Sequence, residues 1–353
     1  MDLNALGWSD FFAEPFEPHA ARGLVPARVA IAFNRFFRVY TEQGELTVVS
    51  SGRLLHHAAS RAELPTAGDW VAVRVRSDGG GAIQAVLPRK SQFTRKMAGR
   101  VVEQQVVAAN VDTVFLVSGL DDEFNTRRIE RYLIMTWESG AQPVVILNKT
   151  DLVDDAPELV REVEAIAAGV PVHAISSKLD EGMEIVRRYL RPGQTIALLG
   201  SSGVGKTTIT NRLLGEDRFA TAEVRVADSR GRHTTTNRQL VLLPQGGLLL
   251  DTPGMREIQL WDADGGAEQN FADIDDIVAL CHFGDCRHGS EPGCAVRLAI
   301  DEGRLDPARF EGYLKIQEEL DRFADQQTLH GQLEAKRRVK VITRAVEQLQ
   351  RSR

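Results

Sequence analysis

Gly200-Ser201-Ser202-Gly203-Val204-Gly205-Lys206-Thr207 follows directly on the apolar run Thr195 to Leu199, and no other feature of the chain restricts its fold as much. This pattern works where a buried strand ends in a glycine loop that opens a helix. The loop N–H groups then wrap phosphates, Lys206 offers charge to the outer ones, and Thr207 offers a hydroxyl to Mg²⁺, with Thr208 next in the helix. Taken alone, the octapeptide could be a chance glycine loop. Its neighbours argue otherwise: further apolar runs stand at Asp112 to Val117, Pro143 to Leu147, Pro171 to Ile175 and Gly247 to Leu250, with helix-length segments between several of them. That alternation predicts a mostly parallel sheet covered on both faces.

Two of these runs end in residues that complement a phosphate loop. Leu248 to Leu250 delivers Asp251-Thr252-Pro253-Gly254. A carboxylate at a strand end can hold Mg²⁺ through water, and the Gly254 N–H can meet a terminal phosphate. Asn148-Lys149-Thr150-Asp151 follows Val144 to Leu147. There the Asp151 carboxylate would accept from the ring N–H and exocyclic amine of guanine, donors that adenine lacks, while the Lys149 stem packs along the base. Ser176-Ser177-Lys178, after the next run, is a weaker companion that reads equally as an ordinary loop.

The order of the pieces is informative. The guanine motif precedes Lys206 by some fifty residues, whereas an ordinary G domain places it last. This predicts a circular permutation, in which the segment after Gly254 runs into the C-terminal region. Gly231-Arg232-His233-Thr234-Thr235-Thr236 lies between the phosphate loop and Asp251. One of its threonines could give Mg²⁺ a second hydroxyl. Met255 occupies the position where many GTPases have a water-orienting glutamine, and a thioether cannot do that by hydrogen bonding. His233 is the candidate for that role, and an exposed loop histidine is the alternative.

The first ninety residues read differently. Short strands are expected at Gly23 to Ala32, Phe36 to Thr41, Glu45 to Val49 and Asp69 to Val75, with turns at Gln43-Gly44 and Asp78-Gly79-Gly80-Gly81. This predicts a small barrel of the OB type, or else a β-domain without a ligand. A basic segment follows, with Arg89, Lys90, Arg95, Lys96 and Arg100. The formal charge of the whole chain is -6, so contact with nucleic acid has to come from local patches. No apolar run approaches the roughly 18 residues of a membrane span, and Met1 to Phe12 does not read as a secretory signal. The expected location is the cytoplasm.

The three cysteines, Cys281, Cys286 and Cys294, all fall in one short segment, and His288 stands among them. Three thiolates and an imidazole suit one closed tetrahedral Zn²⁺ site, structural because no coordination position stays open. His282 is the spare. Helices are expected at Ile316 to Ala324 and Leu333 to Leu349. Residues 334–353 set seven basic side chains against Glu334 and Glu347, which suits either an rRNA-facing arm or a solvated helix. The domain boundaries read as 1–90 for the barrel, 91–260 for a permuted GTPase and 261–353 for a zinc-binding helical region.

In this joint order the motifs resemble the RsgA (YjeQ) family of circularly permuted bacterial GTPases, over nearly the whole chain. The resemblance implies a multidomain α/β protein that hydrolyses GTP during late maturation of the small ribosomal subunit, is stimulated by that subunit and contacts its rRNA. It maps the family's catalytic histidine onto His233 and its hydrophobic replacement of glutamine onto Met255. Thr207-Thr208 departs from the more usual Ser-Ser but keeps the hydroxyl. The expected mechanism has GTP and Mg²⁺ held by Lys206, Thr207 and Asp251, with slow turnover until rRNA docking orders the segment around His233. The expected state is a monomer. A permuted GTPase acting on the large subunit or on another RNA remains the alternative.

Overall fold

The computed structural model describes residues 1–33, 36–77, 79–96, 104–122, 124–216, 239–251, 264–289, 291–307, 309–318 and 320. The chain forms two compact units, Met1–Gln259 and Leu260–Arg353.

In the first unit, helix α1 (Asp10–Ala20) precedes β1 (Val25–Ala32), β2 (Phe37–Thr41), β3 (Gly44–Ser50), helix α2 (Gly52–His57), β4 (Trp70–Val75) and β5 (Gly81–Val86). The strands pair in the order β1-β2-β3-β5-β4, and β1 pairs with β4 to close a five-stranded barrel. Only β3 and β5 run parallel; this is the OB arrangement, and closure removes the sheet edges. Alternate side chains, Ala27, Val29, Phe37, Val39, Val48, Val71, Val73 and Ile83, fill its interior. Register shifts at Val29/Ile31 and Ala72/Val73 supply the local bends that a small barrel needs. β5 begins inside the glycine stretch that reads as a turn in the sequence.

Arg95 and Lys96 of the basic segment lie in β6 (Gln92–Lys96), which runs antiparallel to β7 (Gln104–Ala109) as a separate two-stranded ribbon.

β8 (Thr113–Gly119), α3 (Thr126–Glu138), β9 (Gln142–Asn148), α4 (Ala156–Ile166), β10 (Val172–Ile175), α5 (Met183–Arg187), β11 (Thr195–Leu199), α6 (Lys206–Leu214), β12 (Gln239–Leu242) and β13 (Leu248–Asp251) then build the nucleotide-type sheet. Its order is β10-β9-β8-β11-β13-β12, parallel throughout except for β12. Both faces are buried, as the continuous apolar runs require. Val114, Leu116, Val145, Leu147, Ala197 and Leu199 pack on one face with Ile129 and Leu133 of α3. Phe115, Val117, Val144, Ile146 and Ile196 pack on the other with Ile209 and Leu213 of α6. The first of these clusters also takes in Leu6, Phe12 and Trp70, so barrel flank and sheet share one core. The barrel adjoins the sheet at β12: Ile31 pairs with Gln239, and the Tyr40 hydroxyl donates to Leu240 O at 3.3 Å.

The second unit contains α7 (Asp264–Val278), kinked at Phe271, the cysteine segment, α8 (Ala295–Asp301) and helical residues at 309–318. Phe271, Ile274, Val296, Ala299, Leu305 and Phe310 are buried in it. Arg309 pairs with Asp273 at 2.8 Å and donates to Asn270 O at 3.2 Å. Among the described residues, no helix is long and apolar enough to cross a membrane.

Candidate functional site

Parallel strands deliver their C-terminal ends to one edge, and four such ends meet here. β11 ends at the phosphate loop, β9 at Asn148, β10 at Ser176 and β13 at Asp251. The register sets Ala197 opposite Leu250, which brings Asp251 beside the strand that carries the loop.

Asn148 is almost fully buried and hydrogen-bonds in two directions. Its Nδ2 donates to Val204 O at 2.8 Å, and its Oδ1 accepts from Ser177 N at 2.9 Å. Three loops far apart in sequence are thereby tied together. Lys149 follows with φ of 71°, a left-handed backbone that costs a lysine energy and turns Thr150–Leu152 away from the strand line. The Lys149 ammonium pairs with Asp121, just past the end of β8. Asp151 Oδ1 accepts from Ser176 Oγ at 2.6 Å, which fixes one edge of the exposed carboxylate. Ser176 and Ser177 are buried while Lys178 is exposed. Arg212 of α6 holds this loop by donating to Ser177 O at 3.2 Å and Lys178 O at 3.0 Å.

In the phosphate loop, Lys206 Nζ is seated on Gly200 O at 2.7 Å and on Ser201 O. Gly205 has φ of 100°, and a Cβ there would lie 2.1 Å from Asn148 Nδ2. Glycine is therefore required both by the backbone and by the crossing amide. Ser202 and Gly203 are exposed, Val204 is buried, and Thr207 and Thr208 are half-buried in the first turn of α6. His233, Gly254, Met255 and the threonines at 234–236 lie outside the described residues, as does the basic stretch 334–353.

The opposite ends of β8 and β11 are anchored by Arg28, which lies fully inside the protein. Its Nη2 donates to Asn110 O at 2.9 Å and Thr195 Oγ1 at 2.8 Å, its Nε to Gly68 O at 3.3 Å, and Nη1 to Leu6 O. Burial pulls its pKa down to about 10, against the carboxylates of Asp112 and Asp69, so it stays charged at neutral pH. The Thr195 N–H in turn donates to Asp112 Oδ2 at 2.7 Å.

In the second unit, the ligand atoms of Cys281, Cys286, His288 and Cys294 all lie within 4.8 Å of one another. His288 Nδ1 is 3.6 Å from both Cys281 Sγ and Cys294 Sγ. A tetrahedral ion with bonds of about 2.3 Å to sulfur needs ligand edges of about 3.8 Å, so the cluster suits a structural metal. His288 has a left-handed backbone, φ 59°, and Phe310 meets its ring edge-on at 5.5 Å. Burial pushes the Cys281 thiol up, but the backbone N–H groups of Val296 and Ala295 and the thiols of Cys286 and Cys294 bring it below the usual range. His282 is not among the four; it packs on Phe283.

Asp121, Arg212 and Arg28 are absent from the sequence-based set. Asp121 had a signal, since it directly follows a buried run. Arg28 and Arg212 had none, because their partners lie far away in the chain.

A family model described as RsgA GTPase matches residues 86–261. An ABC transporter model matches residues 183–345, a span that holds the phosphate loop but not Asn148–Asp151. The small ribosomal subunit biogenesis GTPase RsgA of Opitutus terrae is 50% identical over 329 residues, covering 90% of each chain. Its namesake from Syntrophotalea carbinolica is 40% identical over 352 residues, covering 98% of this chain and 96% of that one. The crystal structure of YjeQ from Thermotoga maritima superposes with a TM-score of 0.64 at 29% identity, over 84% of this chain and 98% of that one. YloQ, described as a circularly permuted GTPase, has the same fold, with a TM-score of 0.61 at 22% identity over 86% of this chain and 96% of its own. Half identical to an RsgA protein over nine-tenths of its length, with the guanine motif ahead of the phosphate loop on one sheet edge, the chain belongs to the RsgA family of circularly permuted GTPases.

Proposed function

We propose that this protein hydrolyses GTP, binds the small ribosomal subunit and couples hydrolysis to late maturation of that subunit. The observation that carries the nucleotide reading is the Asn148 amide, which locks the guanine-motif strand to both the phosphate loop and the Ser177 loop. In this reading Asp151 and Lys149 select guanine, with Thr150, Ser176, Ser177 and Lys178 shaping the base pocket. Gly200 through Thr208 hold the phosphates, and the Gly254 N–H meets the terminal one. Thr207 and Asp251 offer hard oxygen donors that suit Mg²⁺. Bound there, Mg²⁺ would neutralise charge developing on the phosphate oxygens. Lys206 adds a second positive charge, and His233 positions the attacking water when rRNA orders its segment.

The Cys281, Cys286, His288 and Cys294 set would hold one structural Zn²⁺, which cross-links a unit with a small core. The barrel and the basic stretch 334–353 are the proposed rRNA contacts. Residues 1–90, 91–260 and 261–353 are the corresponding working parts of a cytoplasmic monomer.

The test is GTP hydrolysis by the purified chain alone, with small subunits and with large subunits in one buffer. Stimulation by small subunits only is expected, and lost in His233→Ala. Stimulation by large subunits instead would transfer the activity to the other partner, and stimulation by neither would sink the ribosome-coupled mechanism.

A further inference from the structure

Arg128 lies in the first turn of α3, where Asn125 Oδ1 accepts from its backbone N–H at 3.0 Å and fixes the start of the helix. From there its guanidinium crosses to the phosphate loop: Nη1 donates to Ser201 Oγ at 3.2 Å, across 73 residues of sequence. Ser201 is also half of the seat of Lys206, whose ammonium bonds to the carbonyls of Gly200 and Ser201. The Gly200–Ser201 segment is thus held twice, by Lys206 through its backbone and by Arg128 through its side chain.

A phosphate loop acts through N–H groups already pointing where the anion will be, so whatever fixes its backbone contributes to binding without touching the ligand. A guanidinium suits that task, because its planar donors are rigid and its charge persists at any physiological pH. The phosphate-loop pattern says nothing about a residue on α3. We propose that Arg128 is a positioning residue of the phosphate loop, acting through Ser201 on the seat of Lys206. The inference rests on the GTPase reading above.

The test is a double-mutant cycle in the full chain with Arg128→Met, Ser201→Ala and the pair, reading affinities for fluorescent mant-GTP and mant-GDP together with kcat and KM for GTP. Each single change should weaken both nucleotides by a similar factor, roughly five- to tenfold for a charge-assisted bond acting at second hand. The double variant should be no weaker than the worse single, and the loss should appear in KM more than in kcat. Ser201→Ala removes one oxygen and keeps the loop backbone, so it reports even if Arg128→Met folds poorly. Multiplicative losses would overturn the pairing, as would unchanged affinity in Ser201→Ala. A loss confined to mant-GTP would replace the positioning role with direct contact to the terminal phosphate. Failure of the unaltered chain to bind either nucleotide would overturn the GTPase reading and this inference together, an outcome distinct from the other three.

Discussion

The side chain of Asn148 donates to the carbonyl of Val204 at 2.8 Å, so the end of β9 is bonded to the middle of the phosphate loop. The same amide accepts from Ser177 N, and the group has almost no exposure to water. Asn148→Ala would leave two backbone groups without partners in the interior, at about 1–3 kcal/mol each. The expected result is at least a tenfold loss of mant-GTP affinity with a lower melting temperature, measured by fluorescence titration and calorimetry. Unchanged affinity would remove Asn148 from the site.

Asp151 tests base selection. Its carboxylate takes a hydrogen bond from Ser176 and remains exposed, oriented for a ligand with paired donors. Asp151→Asn replaces one acceptor oxygen with a donor, which suits a base carrying a carbonyl in place of the exocyclic amine. GTP affinity should fall by about two orders of magnitude, and xanthosine triphosphate should bind better than GTP. Competition between the two nucleotides reads the result directly, and retained preference for GTP would move the guanine site elsewhere.

Gly205 and Gly203 both have positive φ, but their surroundings differ. A methyl at Gly205 would meet the Asn148 amide at 2.1 Å, and that amide is held on both sides and cannot retreat. A methyl at Gly203 meets nothing within 4 Å. Gly203→Ala should carry only the backbone cost of about 1–2 kcal/mol, while Gly205→Ala should abolish mant-GTP binding. Equal losses in the two variants would mean that the loop rearranges on binding.

The parallel strands of the nucleotide sheet are legible in the sequence because both of their faces are buried. Thr195 to Leu199 and Pro143 to Leu147 are continuous apolar runs, and β11 and β9 coincide with them within one residue at either end. β6 and β7 pass unnoticed because Arg95, Lys96, Gln104 and Gln105 interrupt the apolar pattern that marks the neighbouring strands. β12 is only four residues long, too short for its alternation to stand out, even though Pro244-Gln245-Gly246-Gly247 marks the turn that leads into β13. In the site, Asn148, Lys206 and Asp251 belong to local patterns and are legible as such. The Arg28 anchor is not, since its partners at Gly68, Asn110 and Thr195 converge only in the folded chain. A lone arginine in an apolar strand carries no local mark of what it holds.

The cysteine cluster predicts one tightly held metal ion per chain. Cys294, the most buried ligand, immediately precedes α8, so Cys294→Ser should release the ion and loosen that helix together. A strong chelator should do the same to the unaltered chain, because structural zinc contributes on the order of 10 kcal/mol to small domains. Metal analysis and hydrogen exchange over residues 264–318 would read both effects. Mant-GTP affinity should change by less than about twofold, since the described nucleotide-site residues all lie in Met1–Gln259. Metal content of zero in freshly purified chain would refute the site.

Ile31 of the barrel pairs with Gln239, and Gln239 pairs with Asp251, so one transverse row of backbone joins the barrel to the last residue of β13. The barrel flank and the nucleotide sheet also share the cluster that contains Trp70 and Leu133. The nucleotide-binding half is therefore not a portable cassette. Residues 91–259 expressed alone would carry an apolar flank bared to water and an unprotected β12 rim, the combination that recruits foreign strands. Swapping barrels between relatives meets the same obstacle from the other side, for a grafted barrel has to inherit the seam as well as its own interior.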